Sequence, residues 1–185
     1  MRKNFGPKPY LYPQPVLIIA TYGDDGTPDA MNAAWGGLYD ADKVVLCLSA
    51  GHKTTANIRA RGAFTLSFAD AGHVVAADYV GLVSANREPR KLEKSGFHTS
   101  RSQHVDAPLI EELPVALECK LIKVNEDGNI IGQIVNVSVD EAVLAGDGGI
   151  DFDKFRPIAF EPARNGYHVL GERVGSAFRD GAALD

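Results

Sequence analysis

The sequence has few cysteines, no long apolar segment and no excess of basic residues. Its two cysteines, Cys47 and Cys119, each lie in an apolar run typical of a strand, which predicts buried free thiols rather than a disulfide framework. Its apolar runs, such as residues 16–20, are shorter than the roughly 20 residues of a transmembrane helix. The net charge of -5 gives no support for a nucleic-acid or membrane partner.

The N-terminal residues 1–7 are basic but are not followed by the apolar segment of a signal peptide, so we expect a cytoplasmic location. The five histidines form no H-x-x-x-H motif and no cluster with cysteine, so no metal site is predicted. No catalytic triad, carboxylate pair or G-x-G-x-x-G fingerprint stands out. The sequence therefore predicts no catalytic side chain, which is consistent with chemistry carried by a bound cofactor.

The composition is that of one globular domain. The chain has 185 residues, of which 45% are hydrophobic and 23% charged, enough to form a real core without long disordered segments. Residues 1–14 are rich in proline and aromatic residues and are predicted to form an extended arm. The domain is expected over residues 15–175, with a C-terminal tail at 176–185, and no internal repeat indicates a second domain.

Alternating or continuous apolar runs separated by turn residues indicate a mainly β protein. Short helices are predicted at 55–61, 73–83 and 87–97, and residues 98–113 are expected to form a loose connection. Several short strands joined by hairpin turns favour a barrel or sandwich. The predicted strands cover 15–22, 29–35, 44–48, 63–69, 115–124, 130–140, 157–160 and 166–171.

A polar turn connects the strand at 44–48 to the helix that ends before Gly62. A helix N-terminus carries unpaired N–H groups and partial positive charge, which stabilise an anion. The turn supplies a lysine, a histidine and hydroxyl groups, so one hypothesis is a phosphate-binding site; the alternative is a helix capped by Thr54 or Thr55. The residues concerned are Ser49, His52, Lys53, Thr54 and Thr55.

The return strand at 29–35 has small residues where bulky ones usually pack. Small side chains let another group approach the backbone closely, so the strand is either a poorly packed edge strand or the support of a flat ligand, with Asn32 as a polar contact. The charged segment 87–97 is either a solvated helix face or a basic lid over an anionic ligand.

In their order and spacing, these segments resemble the flavin reductase-like family of FMN-binding split barrels, which includes flavoredoxins. The resemblance covers roughly residues 12–175. The segments that carry it are Pro15-Val16, Met31-Asn32-Ala33-Ala34-Trp35, Ser49, residues 52–58, Gly62-Ala63-Phe64, residues 107–110, Leu117-Glu118-Cys119, Gly132-Gln133-Ile134 and residues 167–171.

The resemblance implies a six-stranded Greek-key split β-barrel with short helical additions, forming a homodimer with FMN near the subunit interface. Lys91 matches a lysine of the family, although Lys91-Leu92 stands where many members have Lys-Phe. By the same match, the cofactor-binding residues are Met31, Asn32, Ala33, Ala34 and Trp35 along the flavin ring, and Ser49, His52, Lys53, Thr54 and Thr55 at the phosphate.

Three functions are compatible with the resemblance. The first is an NAD(P)H-dependent flavin reductase, in which NADH or NADPH reduces bound FMN and the hydride passes to a second flavin or another acceptor. The second is an electron-transfer protein that exchanges electrons with a redox partner protein. The third is a module that binds FMN without turnover. The fold alone does not distinguish them.

Overall fold

A computed structural model describes residues 1–184 and is built around β-strands. The first six strands are β1 (Gln14–Pro15), β2 (Leu17–Tyr22), β3 (Pro28–Ala33), β4 (Gly36–Asp40), β5 (Lys43–Leu46) and β6 (Ala63–Phe68). The remaining strands are β7 (Thr99–Arg101), β8 (Pro108–Ile110), β9 (Val115–Val124), β10 (Ile130–Val139), β11 (Ile158–Glu161) and β12 (Gly166–Val169). The helices are α1 (Lys53–Arg61), α2 (Val74–Leu82), α3 (Lys91–Ser95) and α4 (Phe152–Phe155), with short 3-10 helices at Glu141–Val143 and Asp180–Leu184.

Seven antiparallel strands form one curled sheet in the order β3-β2-β6-β9-β10-β5-β4. The two edge strands, β3 and β4, follow each other in the chain, so the sheet curls into a half-barrel whose edges are covalently linked. This confirms the predicted mainly β fold class, with seven strands in the principal sheet instead of six. A second sheet, β1-β11-β12, and the β7-β8 hairpin lie beside it.

Strand β2 is buried on both faces and divides the core into two parts. Leu17 and Ile19 point into the half-barrel, whereas Ile18 and Ala20 pack on the side of α2 and α3. This follows from the period of two along a strand. Inside the half-barrel, Phe64 packs so closely on Gly132 that a Cβ there would lie 2.5 Å from the ring. The glycine is therefore required by the packing of the ring.

The turns were predicted well. Gly26 in the β2–β3 hairpin and Gly62 after α1 have the positive φ angles expected of these turn and C-cap positions, and Gly96 ends α3 in the same way. Residues 1–13 lie outside the strands and are exposed. No helix within residues 1–184 has the length and apolar character needed to span a membrane.

Five features of local structure differ from the predictions. Strand β4 and the β7–β8 hairpin were not predicted, because their short sequences contain little apolar alternation. Helix α1 begins at Lys53 rather than at residue 55, and α3 covers only part of 87–97. Cys47 is exposed, because it follows the end of β5, whereas Cys119 is buried as predicted.

Candidate functional site: two adjoining cavities between β3 and α2

Helix α1 begins with backbone N–H groups that no side chain caps. Its N-cap residue is His52, whose side chain makes no capping hydrogen bond, and the first turn contains no acidic residue. The first intrahelical bond is donated by Ala56 N to His52 O, at 3.2 Å. The N–H groups of the first turn and the positive end of the helix dipole are thus left for an anion.

The predicted threonine cap is absent, and the structure gives both threonines another role. Thr54 Oγ1 donates to Asp29 Oδ2 at 2.8 Å, and Thr55 Oγ1 donates to the carbonyl oxygen of Ser49 at 2.9 Å. Both threonine side chains are buried. Their hydroxyl groups therefore fix the helix start against β3 and the preceding loop, while their backbone N–H groups lie at the start of the helix.

Lys53 supplies positive charge at this helix start. Its Nζ donates to Asn57 Oδ1 at 2.8 Å, one helical turn further along. Ser49 is exposed on the preceding loop, where its Oγ accepts from Gly51 N at 3.4 Å. Ser49 lies outside the lining of the cavities described next.

A cationic cavity of about 510 Å³ opens beside the start of α1. It joins residues from β3, α1, the end of α2 and the segment before α3, which are distant in sequence. Two lysines and one arginine are among its lining residues, and Met31 and Val80 contribute apolar surface. The lining residues are Met31, His52, Lys53, Thr54, Val80, Gly81, Leu82, Val83, Ser84, Ala85, Arg87 and Lys91.

Lys91 is buried and not part of a mobile or solvated basic face. Its Nζ lies 3.2 Å from Asp29 Oδ1 and donates to the carbonyl oxygens of Val83 at 3.0 Å and Val80 at 3.3 Å. Lys91 is 3% exposed. The interpretation of segment 87–97 as a solvated face is therefore wrong for Lys91. Its ammonium group neutralises a buried carboxylate and binds the last carbonyl groups of α2, and the residue also lines the cationic cavity.

A second, smaller cavity of about 220 Å³ adjoins the first, and we call it the tyrosine cavity. It shares Gly81 and Leu82 with the cationic cavity. Its lining contains three of the residues predicted to lie along a flat ring, together with two aromatic side chains and one carboxylate. The lining residues are Asn32, Ala33, Ala34, Asp78, Gly81, Leu82, Phe160 and Tyr167.

The small residues of β3 admit helix α2. A Cβ atom on Gly81 would lie 2.9 Å from Asn32 Cβ, closer than side chains tolerate. Asn32 Nδ2 also donates to the carbonyl oxygen of Ala77 at 3.0 Å. The prediction that β3 is an edge strand is confirmed by the sheet order. Helix α2 therefore makes part of the close approach to the β3 backbone that was expected of a ligand.

Tyr167 and Asp78 form a hydrogen-bonded pair in the tyrosine cavity. Tyr167 Oη donates to Asp78 Oδ1 at 2.8 Å. Burial and this bond to Asp78 raise the pKa of Tyr167 to about 12, although a hydrogen bond from the Asn32 side chain acts to lower it. The hydroxyl group therefore stays protonated at neutral pH and remains a donor to the carboxylate.

The structure brings most of the predicted site residues together. Three of them line neither cavity: Trp35, which is 59% exposed between β3 and β4, Ser49 and Thr55. Sequence reasoning missed Asp78, Phe160 and the role of Tyr167, whereas Arg87 lies in the segment 87–97 that was considered as a basic lid. A polar Asp78 within the apolar run of α2 was the one local signal that could have revealed the tyrosine cavity. No group of metal-ligating side chains occurs in the part of the chain that the structure describes.

Comparison with known proteins assigns the chain to a family. Residues 10–160 match the flavin reductase like domain. The fold is similar to flavoredoxin of Desulfovibrio vulgaris (Miyazaki F), with a TM-score of 0.94 and 37% identity over 98% of this chain and 100% of that one. The chain therefore belongs to the flavin reductase like domain family and has its split-barrel fold.

Two further solved structures support this assignment of the fold. Flavoredoxin from Methanosarcina acetivorans has a TM-score of 0.88 and 26% identity, with 100% of both chains covered. An FMN-binding domain of a flavin reductase-like enzyme from Shewanella baltica OS155 has a TM-score of 0.78 and 22% identity, over 88% of this chain and 89% of that one. The resemblance recognised in the sequence is confirmed.

Proposed function

We propose that the protein binds FMN and acts as an NAD(P)H-dependent flavin reductase, passing hydride through FMN to a second flavin or another acceptor. The observation that carries the proposal is the pair of adjoining cavities, one cationic and one lined by small and aromatic residues, which share Gly81 and Leu82. A ligand with an anionic group at one end and a flat ring at the other fits this arrangement. When bound, FMN supplies hydride and electron transfer.

The residues present fit the phosphate of FMN. The start of α1 carries no capping side chain and no acidic residue, so its free N–H groups favour a phosphate. Lys53 and Arg87 line the same cavity and offer charge-assisted hydrogen bonds, and His52 lines it beside them. Because Asp29 neutralises Lys91, we assign Lys91 to the support of the cavity, with Lys53 and the helix start as the principal phosphate contacts.

The residues present also fit the ring. Ala33 and Ala34 carry small side chains beside the tyrosine cavity, and Phe160 and Tyr167 supply apolar surface. Their ring centroids are 5.9 Å apart with an interplanar angle of 54°, so they form one rigid aromatic wall. We propose that Met31 and Asn32 lie along the ring between the two cavities, and that Trp35 reaches it from the β3–β4 connection.

An electron-transfer protein is the second candidate. It is favoured by the 37% identity to flavoredoxin of Desulfovibrio vulgaris (Miyazaki F) over nearly the whole of both chains. In this case a redox partner protein replaces NAD(P)H, and the same two cavities hold the cofactor. We also propose a homodimer and a cytoplasmic location, where free thiols stay reduced.

The first experiment measures FMN binding. The purified protein should be yellow and release FMN on denaturation, and Lys53→Ala should weaken FMN binding several-fold through the loss of a charge-assisted contact. Arg59→Ala is the matched control, because Arg59 is an exposed basic residue at the other end of α1. A protein that takes up no FMN would contradict the proposal, and unchanged affinity in Lys53→Ala would remove Lys53 from the site.

The second experiment distinguishes the two candidates. The FMN-loaded protein is mixed anaerobically with NADH and, separately, with NADPH, and the flavin absorbance is followed. Rapid bleaching with either nucleotide is expected for a reductase, and the faster of the two identifies the donor. No bleaching, with normal reduction by dithionite, would favour the electron-transfer protein instead.

A further inference from the structure

A groove with an apolar part and an acidic part lies where both terminal segments of the chain leave the fold. The apolar part has a volume of about 470 Å³, and Gln14 is the only polar residue among those that line it. The acidic part has a volume of about 1040 Å³, and three carboxylates and one arginine line it. We call the two parts together the terminal groove, because three residues line both of them. These residues are Ile150, Phe152 and Leu170.

Two carboxylates of the terminal groove are unpaired. Asp151 Oδ1 accepts from the backbone N–H of Asp153 at 3.0 Å and so caps α4. Arg173 is bound within its own segment, where its Nη2 donates to Ser176 Oγ at 2.8 Å. The carboxylates of Asp153 and Glu172 are exposed and have no ion-pair partner within residues 1–184. The groove therefore combines an apolar surface with free negative charge.

The N-terminal arm, residues 1–13, has the complementary character. It contains three basic residues and no acidic residue. Its apolar side chains, such as Leu11 and Tyr12, are exposed, although the arm leaves the fold beside the groove, since Pro13 is one of the lining residues. Within one chain, the apolar side chains of the arm therefore remain uncovered next to an apolar groove.

We infer that the terminal groove of one protomer binds the N-terminal arm of a second copy of this chain. The apolar side chains of the arm occupy the apolar part, and its basic residues pair with Asp153 and Glu172. Because Pro13 lies in the wall of the groove, a two-fold axis that brings two grooves together places each arm at the entrance of the other copy's groove. Fully extended, the residues before Pro13 span roughly 40 Å, which is long enough to cross between protomers.

The inference deepens the proposed homodimer by naming its contact surface, and it does not depend on flavin binding. FMN titration of the same samples separates the two proposals. A protein that binds FMN but whose arm does not contact a second copy would overturn only this inference. A dimer held by the arms that takes up no FMN would overturn only the proposed flavin function.

Charge reversal tests the ionic contacts. Lys3→Glu/Lys8→Glu should raise the dissociation constant of the dimer about three- to thirtyfold, because attractive pairs become repulsive, as measured by sedimentation at several protein concentrations. Asp153→Lys/Glu172→Lys should have a similar effect, and the variant with all four changes should regain most of the wild-type affinity.

The control for this rescue reverses two acidic residues outside the groove. Glu111 and Glu126 are exposed and line neither part of it. Glu111→Lys/Glu126→Lys should not restore the dimer of the arm variant. If the variant with all four groove and arm changes stays as weak as the double variants, the inference is overturned.

Disulfide cross-linking tests which chain supplies the arm. In the Cys47→Ser background, which removes the exposed thiol, chains with Leu11→Cys are mixed with tagged chains with Phe152→Cys. Mild oxidation should give a covalent dimer that contains one chain of each kind. Chains with Val75→Cys, at an exposed residue of α2 outside the groove, should not cross-link with Leu11→Cys.

Two outcomes of the cross-linking would overturn the inference. If Leu11→Cys and Phe152→Cys form a disulfide only when one chain carries both, the arm occupies its own groove. If they form no disulfide in either arrangement, the groove does not bind the arm and is left for another partner.

Discussion

At the scale of single residues, the two cysteines show how burial sets reactivity. Cys119 is fully buried in the half-barrel, and burial, together with the charge of Glu118, raises its pKa to about 12. Cys47 is exposed after β5. Since the thiolate is the reactive form, the buried thiol should be protected twice, by inaccessibility and by its pKa.

We therefore expect one reactive thiol in the native protein and two in denaturant, measured with a disulfide-exchange reagent. Cys47→Ser should leave the native protein without a rapidly reacting thiol. Two rapid thiols in the native wild type would contradict the burial of Cys119.

A second prediction concerns the buried ion pair of Asp29 and Lys91. Their side chains are only 5% and 4% exposed, so Asp29→Asn would leave an uncompensated ammonium group in the core. Such a change lowers the free energy of unfolding by about 3–5 kcal/mol, and urea unfolding would measure the difference. The double variant Asp29→Asn/Lys91→Met should recover part of this loss. If Asp29→Asn loses no more stability than the double variant does, the two side chains are not coupled.

At the scale of elements, the contact between α2 and β3 shapes both cavities. A side chain at Gly81 would push the helix away from Asn32, where the Cβ distance would be 2.9 Å. The overpacking costs about 1–3 kcal/mol and offsets a gain of about 1 kcal/mol in helix propensity.

Gly81→Ala should therefore weaken FMN binding without raising stability, as measured by flavin titration and urea unfolding. Gly37→Ala is the control, because no atom lies within 4 Å of a Cβ at Gly37. A more stable Gly81→Ala protein with unchanged flavin affinity would contradict this account of the contact.

The segment before β7 is tied to the segment after β8 by a pH-dependent pair. His98 Nδ1 lies 2.6 Å from Glu112 Oε1. The hydrogen bond and charge of Glu112 raise the pKa of His98. Although burial acts to raise the pKa of Glu112, hydrogen bonds from His98 lower it below its ordinary value.

The raised histidine pKa stabilises the fold below about pH 6.5, and this contribution is lost as the pH rises through the folded pKa. The lowered Glu112 pKa stabilises the fold above about pH 4.3, and this contribution is lost as the pH falls through the folded pKa of Glu112.

His98→Gln should thus be less stable than the wild type at pH 5.5 and equally stable at pH 9 by urea unfolding. His104→Gln, at another exposed histidine, should show no such difference; an equal deficit of His98→Gln at both pH values would contradict the pair.

At the scale of the whole molecule, the N-terminal arm is the feature left without a structural role within one chain. Phe5, Leu11 and Tyr12 are 61%, 75% and 62% exposed. Exposed apolar clusters of this kind favour contact with another protein surface. We expect the full chain to sediment as a dimer. A variant lacking residues 1–12 should form a weaker dimer, which dissociates into monomers at a higher protein concentration than the full chain. A monomeric full chain that still holds FMN would contradict the proposed homodimer.

Much of this molecule was determined by the sequence on its own. The alternation in β2 and β6, the glycines at the turns, and the helix start after β5 are local patterns, and the physical preferences that produce them act over a few residues. They were sufficient for the mainly β fold class and for the location of the phosphate-binding hypothesis at residues 49–55.

Only the tertiary structure decided which polar groups face each other. Lys91 was predicted either on a solvated helix face or at an anionic ligand, and it is buried against Asp29. Tyr167 meets Asp78 across 89 positions of sequence. The two cavities exist because α2 folds back onto β3, and the small residues of β3 indicate a close approach without identifying the helix that makes it. A pattern of residues fixes how each segment folds, but the partner of a buried charge or hydroxyl group depends on how the segments pack.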